Sequence, residues 1–129
     1  MISKHTAPIL AALGGLSVPF SDGRLPNGTN PPYVVGYISV TTPEAVSLEE
    51  VADRVTCTVI THSVGANADA ARIVADQVVA VLLGLRPVVP NRDCGWVRLI
   101  DDEPMRRDEE SLQPRLSLIH VWQYTSVPA

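Results

Sequence analysis

Three histidines, two cysteines and fourteen carboxylates are what this chain offers for chemistry. His5, His62 and His120 are the side chains able to move protons near neutral pH. No short spacing such as H-x-x-x-H links them. They fall at a helix start, a strand end and a strand interior. Ser63 follows His62, which sets a nucleophile beside a base, but neighbours in a strand point to opposite faces. The G-x-S-x-G turn that lifts a serine above a sheet does not occur. An active site needs base, nucleophile and orienting group within hydrogen-bond reach, and the sequence predicts three unrelated histidines instead. Asp101-Asp102-Glu103 and Asp108-Glu109-Glu110 gather six carboxylates in one connection. A calcium loop would need alternating acids and a pivotal glycine, and this pattern has neither. Arg106 and Arg107 lie between the two acidic groups and largely neutralise them. That suits a solvated hairpin tip, or a loop whose ion pairs set the register with a neighbouring subunit. Gly14-Gly15 lacks the third glycine and the lysine of a phosphate loop. Cys57 and Cys94 show no metal or C-x-x-C spacing, so reduced thiols are expected, with Cys57 a small core hydrophobe. The sequence thus predicts no catalytic residue, no metal, no cofactor and no enzyme.

The bulk properties narrow the classes further. A chain of 129 residues is one domain's worth, and residues 1–129 are expected to form a single α+β domain. The net charge is −4 and the pI about 5.2, without the basic stripe of a nucleic-acid binder. Nine of the ten basic residues are Arg, which suits paired, partly desolvated contacts better than Lys does. Hydrophobic residues make up 46 % and mean hydropathy is +0.15, so apolar surface must go into a well-packed core or a subunit interface. No stretch approaches the roughly 20 apolar residues of a membrane span. Met1 to Leu16 carries Lys4 before an apolar run, but no clean small-x-small cleavage site follows, so a short helix is expected rather than a signal peptide. Asn27-Gly28-Thr29 fits a glycosylation acceptor and is first of all a turn signal.

Any functional side chain must be placed by a small set of elements. Thr6 can cap a helix with Pro8 in its first turn, and Ile9, Leu10, Leu13 and Leu16 follow at helical spacing. Residues 17–32 crowd Pro19, Gly23, Pro26, Gly28, Pro31 and Pro32 together, which predicts an extended loop or arm of the kind laid on a neighbour. Arg24 is its basic residue. Tyr33–Val40 reads as a strand, and Thr41–Val51 as an acidic connection carrying Glu49 and Glu50. Arg54–Ser63 is a second strand with Val55, Cys57 and Val59 on the buried side. Gly65 breaks it and Asn67 caps a helix to about Leu83, whose apolar face is Ala71, Val74, Val78, Val81 and Leu82. Trp96–Ile100 and Arg115–Tyr124 are the last strands, the latter with Leu116, Leu118, His120, Trp122 and Tyr124 on one face. Trp122 is expected in the core. The order α-β-β-α-β-β predicts a two-layer α+β fold: a four-stranded, mostly antiparallel sheet packed by two helices.

Four pieces in this order resemble one family. They are the helix Ala7–Leu16, the proline-rich lead into Pro32-Tyr33-Val34-Val35-Gly36, the strand Arg54–His62 running into Ala70–Val78, and the closing His120-Val121-Trp122-Gln123-Tyr124. The layout is similar, over nearly the full chain, to the tail terminator (tail completion) proteins of long-tailed siphophages and related gene-transfer particles. Aromatic residues of the family's second strand are replaced by Thr and Cys here. The resemblance implies a homo-oligomeric, six-fold ring that sits on the last ring of tail-tube protein. Such a ring stops tube growth and presents a docking surface to the head connector, in the tail or neck of a virion assembled in the host cytoplasm. DNA would pass its lumen without specific binding. A closing ring needs a heterologous interface. The residues expected there are Arg24, Glu49, Glu50, Asp101, Asp102, Arg106 and Arg107, within the segments 17–32, 41–50 and 101–114. The rival readings are a head-closure stopper, a tail-tube subunit, or a small ligand-binding or enzymatic domain, which His62 and His120 facing one another across a pocket would favour.

Overall fold

Period-two alternation of β-branched residues builds the sheet, and the computed structural model describes residues 1–26, 28–41, 54–107 and 115–129. The elements run α1 (Ile2–Gly14), β1 (Phe20–Asp22), β2 (Tyr33–Thr41), β3 (Val55–Gly65), α2 (Ala68–Leu82), β4 (Arg92–Cys94), β5 (Arg98–Arg107) and β6 (Leu116–Pro128). They form an α+β fold with two helices and a six-stranded mixed sheet in the order β1-β2-β3-β6-β4, with β5 also paired to β6. The expected sheet had four strands. The two additions are three-residue strands in turn-rich sequence. β1 pairs parallel to β2, fastened by the Val34 amide on the Pro19 carbonyl at 2.9 Å and the Gly23 amide on the Gly36 carbonyl at 2.7 Å. Part of the expected arm is therefore bound to its own chain. β4 pairs with the end of β6.

The expected loop at 101–114 is a strand through Arg107. β5 is charged because it is an edge strand, exposed along most of its length. Two bulges and Pro104 interrupt it, which are common ways of keeping an open edge from pairing with another chain. Trp96 falls before this strand rather than in it.

α1 starts at Ile2 rather than after a Thr6 cap, with Pro8 inside it. The first turn is held by His5, which is fully buried. Its Nδ1 donates to the Met1 carbonyl at 2.7 Å, which makes Nε2 the acceptor from the Ser126 hydroxyl at 2.6 Å. Asn67 caps α2 as expected, accepting from the Ala70 amide at 2.8 Å. Gly65 ends β3 where the helix crosses it. A Cβ there would lie 2.3 Å from the Ala71 nitrogen, so only glycine fits.

Both helices cover the same face of the sheet. Ile9 and Leu13 of α1 and Val74, Val78 and Leu82 of α2 pack with Val34, Cys57, Val59, Trp122 and Tyr124 in one core. Trp122 is wholly buried and its indole donates to the Thr61 hydroxyl at 3.0 Å. Cys57 and Cys94 are buried free thiols, as expected. Burial pushes the Cys57 thiol up to about 11, which keeps it protonated and inert. Among the described residues no helix is long and apolar enough to cross a membrane.

Candidate assembly surface

Among the described residues no helix packs on the opposite face of the sheet. Antiparallel partners share a face, so its make-up follows from the register. Ser39, Thr58 and Gln123 form one row across β2, β3 and β6. Tyr37, Ile60 and Val121 form the next, followed by Val35, His62 and Ile119, and then Tyr33, Val64 and Ser117. β5 extends the rows with Arg98 beside Gln123, Asp101 beside Val121, Glu103 beside Ile119 and Arg106 beside Ser117. An apolar centre thus ends on a charged strand. Tyr37 is 45 % exposed, and Ile60, Ile119 and Val121 are half-buried. A water-facing side of an antiparallel sheet normally alternates to polar residues. Two of these rows are apolar at most positions, as in the core of a protein–protein contact.

Where Leu25 packs against Tyr33, Val35 and Val64, the rows deepen into a hollow of about 220 Å³. Leu25, Tyr33, Val35, Tyr37, His62, Val64, Arg115 and Ser117 line it. The His62 ring stands edge-on to Tyr37, centroids 5.4 Å apart at 73°. Burial pushes the His62 imidazole below its ordinary value. The Glu103 carboxylate opposes that and the Arg106 guanidinium adds to it.

His120 pairs with Thr61 and lies on the covered face, its ring 6.0 Å from that of Trp122. His62 and His120 therefore point away from one another, and the arrangement that would favour a ligand-binding domain is not formed. His62 and Ser63 face opposite ways as well. The serine–histidine contact that the described residues do show, Ser126 to His5, was not foreseen from the spacing. It is buried within the fold, where Arg92 Nε also donates to the Ser126 hydroxyl at 2.8 Å. It fastens the first helix to the last strand and admits no substrate. No group of His, Cys, Asp or Glu among the described residues could hold a metal ion.

The residues expected at an interface are only partly brought together. Asp101, Asp102, Arg106 and Arg107 share β5 and are exposed. Arg106 is bound within the chain, 3.1 Å from Glu103. Arg24 is exposed in the segment after β1. Glu49, Glu50 and the Asp108-Glu109-Glu110 group lie outside the described residues. Sequence reasoning missed the hollow, because Tyr33, His62 and Arg115 are far apart in the chain and meet only through strand register. The run Tyr33-Val34-Val35-Gly36-Tyr37, which alternates aromatic and apolar residues on one side and small ones on the other, was its available signal. A second exposed apolar group sits at the end of α2. There Leu83, Val88 and Trp96 are more than half exposed and the Arg86 guanidinium lies 5.7 Å from the Trp96 ring centroid.

The class defined so far is an α+β fold whose six-stranded mixed sheet is covered by helices on one face and, among the described residues, open on the other. No protein-family model matches the sequence, and no curated protein sequence does. Among solved structures the fold is similar to that of a chain in the virion of the native gene transfer agent (GTA) particle. The TM-score is 0.55 at 18 % identity, over 94 % of this chain and 85 % of that one.

Proposed function

We propose that this chain is a structural subunit of a phage-type particle, and specifically a tail terminator. In this reading, copies of it close into a ring on the end of the tail tube. The ring ends tube polymerisation and gives the head connector or stopper protein a surface to dock on, in the tail or neck of the virion. The observation that carries the proposal is the fold shared, over nearly the whole chain, with a chain of a gene transfer agent virion. The open apolar face supports it, since a subunit needs surface that its own helices leave uncovered. The charged β5 beside that face can supply directional contacts, which set register and suppress wrong partners. With net charge −4, a neutral or acidic lumen would let DNA pass without binding it.

Native mass spectrometry of the protein, alone and mixed with its tail-tube protein, tests the proposal. A discrete ring, free or formed on the tube, is the expected result. A monomer that ignores the tube protein would overturn it, and filaments growing without limit would favour a tube subunit instead. Arg24, Asp101, Asp102, Arg106 and Arg107 are proposed for the ring contacts, with Glu49 and Glu50 in the acidic connection. Replacing both Arg106 and Arg107 by Glu is expected to block ring formation or tube capping. The Arg106–Glu103 pair is exposed and contributes about 0–1 kcal/mol to folding, so the thermal midpoint should hardly move. Normal assembly by the double variant would remove these two arginines from the interface.

A further inference from the structure

The hollow on the open face has a cation, Arg115, at one end. Arg115 donates from Nη1 to the Tyr33 hydroxyl at 3.2 Å and from Nη2 to the Thr29 carbonyl at 3.2 Å. Its guanidinium carbon lies 5.8 Å from the Tyr33 ring centroid. Its Nε is buried without a hydrogen-bond partner. Every group that holds it is neutral, and among the described residues no carboxylate pairs with it. A half-buried guanidinium that has lost water without gaining a counter-charge is left poorly compensated. Its planar fork of donors fits an oxyanion, and the oxyanion an unmodified polypeptide offers is a carboxylate.

Volume limits the ligand. Small-molecule and cofactor sites commonly occupy roughly 300–1,000 Å³, and this hollow holds about 220 Å³. That is room for one amino-acid side chain. Leu25, Val35, Val64 and the rings of Tyr33 and Tyr37 supply the apolar half of its wall. The matching ligand therefore joins one apolar side chain to one carboxylate. Among peptide groups, a C-terminal apolar residue has both. An internal Asp or Glu would bring the charge but no apolar group to fill the wall.

We propose that this hollow is a socket for the C-terminal residue of a partner polypeptide. The side chain seats between Tyr33 and Tyr37 and the terminal carboxylate meets Arg115. The site goes beyond the ring reading and does not depend on it, since a monomer could carry the socket equally well.

The test is an NMR titration of the labelled full chain with three probes. These are N-acetyl-phenylalanine, its C-terminal amide, and N-acetyl-glutamic acid amide. The expected result is saturable shifts at His62, Val64 and Ser117 with the first probe. Binding should be roughly tenfold weaker or worse for the phenylalanine amide, and absent for the glutamic acid amide. Arg115→Gln should lose the same factor for N-acetyl-phenylalanine and leave the weak binding of its amide unchanged. Equal affinity for acid and amide would overturn the carboxylate role. Tighter binding of the glutamic acid amide would overturn the terminal one. Shifts that never saturate would overturn the socket. Should Arg115→Gln fail to fold, the comparison of acid with amide on the unaltered chain decides alone.

Discussion

The two faces of the sheet draw on the same residue types and end in opposite states. On the covered face Trp122 and Cys57 are 0 % exposed and Val59 is 1 % exposed beneath the two helices. On the open face Tyr37 is 45 % exposed, with Ile60, Ile119 and Val121 only half-buried. Every second residue of β3 and β6 belongs to each face, so one pair of strands serves both. The difference shows where the chain's large apolar fraction goes. One share closes the domain, and the other is left at the surface, where a partner chain can cover it.

Truncation should separate the faces most widely. Trp122→Ala empties the centre of the covered face and leaves the Thr61 hydroxyl without its indole partner. We expect a loss of about 4 kcal/mol in urea unfolding, in line with other buried aromatic truncations. A loss under about 1 kcal/mol would mean that the covered face is not where stability resides.

Titration should separate them next, in opposite directions. Cys57 on the covered face has its folded value raised from 9.0 to about 11. Its contribution to stability is fully present below pH 9 and is lost as pH rises through about 11. His62 on the open face has its folded value lowered from 6.5. Its contribution is present above pH 6.5 and is lost as pH falls through the depressed value. Thermal midpoints across pH should therefore fall at both ends. Cys57→Val should flatten the alkaline arm and His62→Gln the acidic one. The acidic arm should be the shallower, because His62 is only half-buried and solvent screens it. If either variant leaves its arm unchanged, some other group causes that loss.

The smallest effect on folding is expected from Ile60→Thr combined with Val121→Thr. On an open face the pair should cost less than about 1 kcal/mol in the isolated chain, yet assembly measured by native mass spectrometry should weaken. A loss as large as that of Trp122→Ala would mean the open face is already packed against the chain's own residues.

Much of this contrast could be read from the sequence, and the parts that could not have physical causes. Val55, Cys57 and Val59 alternate with Thr56 and Thr58, and that period set the covered face of β3 in advance. Asn67 marked the start of α2 in advance because capping depends on local residue chemistry, and Gly84, at φ 77°, lies just past its end. β1 was hidden because Phe20-Ser21-Asp22 lies between Pro19 and Gly23, and only the Phe20 ring seated over Gly36 marks it. A Cβ on Gly36 would come within 2.9 Å of that ring. β5 was hidden because Asp101 to Arg107 has no apolar period, and an edge strand needs none when both of its sides meet water. The start of α1 was misplaced because His5 is anchored by Ser126, a contact no local pattern predicts. The same holds for the hollow, whose lining comes from four separate segments.

The central strand has one more consequence, for synthesis. β6 is the last strand of the described chain, yet it lies in the middle of the sheet and pairs with β3, β4 and β5. Ser126, which holds the first helical turn, lies 121 positions after His5. On a ribosome, α1 emerges well before β6 and waits for it. Until Leu116–Pro128 has emerged, β3 has only β2 beside it, Thr61 lacks its indole and the covered face has no centre. Contacts this distant in sequence make for slow, late closure. A nascent copy would then hold no finished open face for other subunits to meet until β6 has emerged.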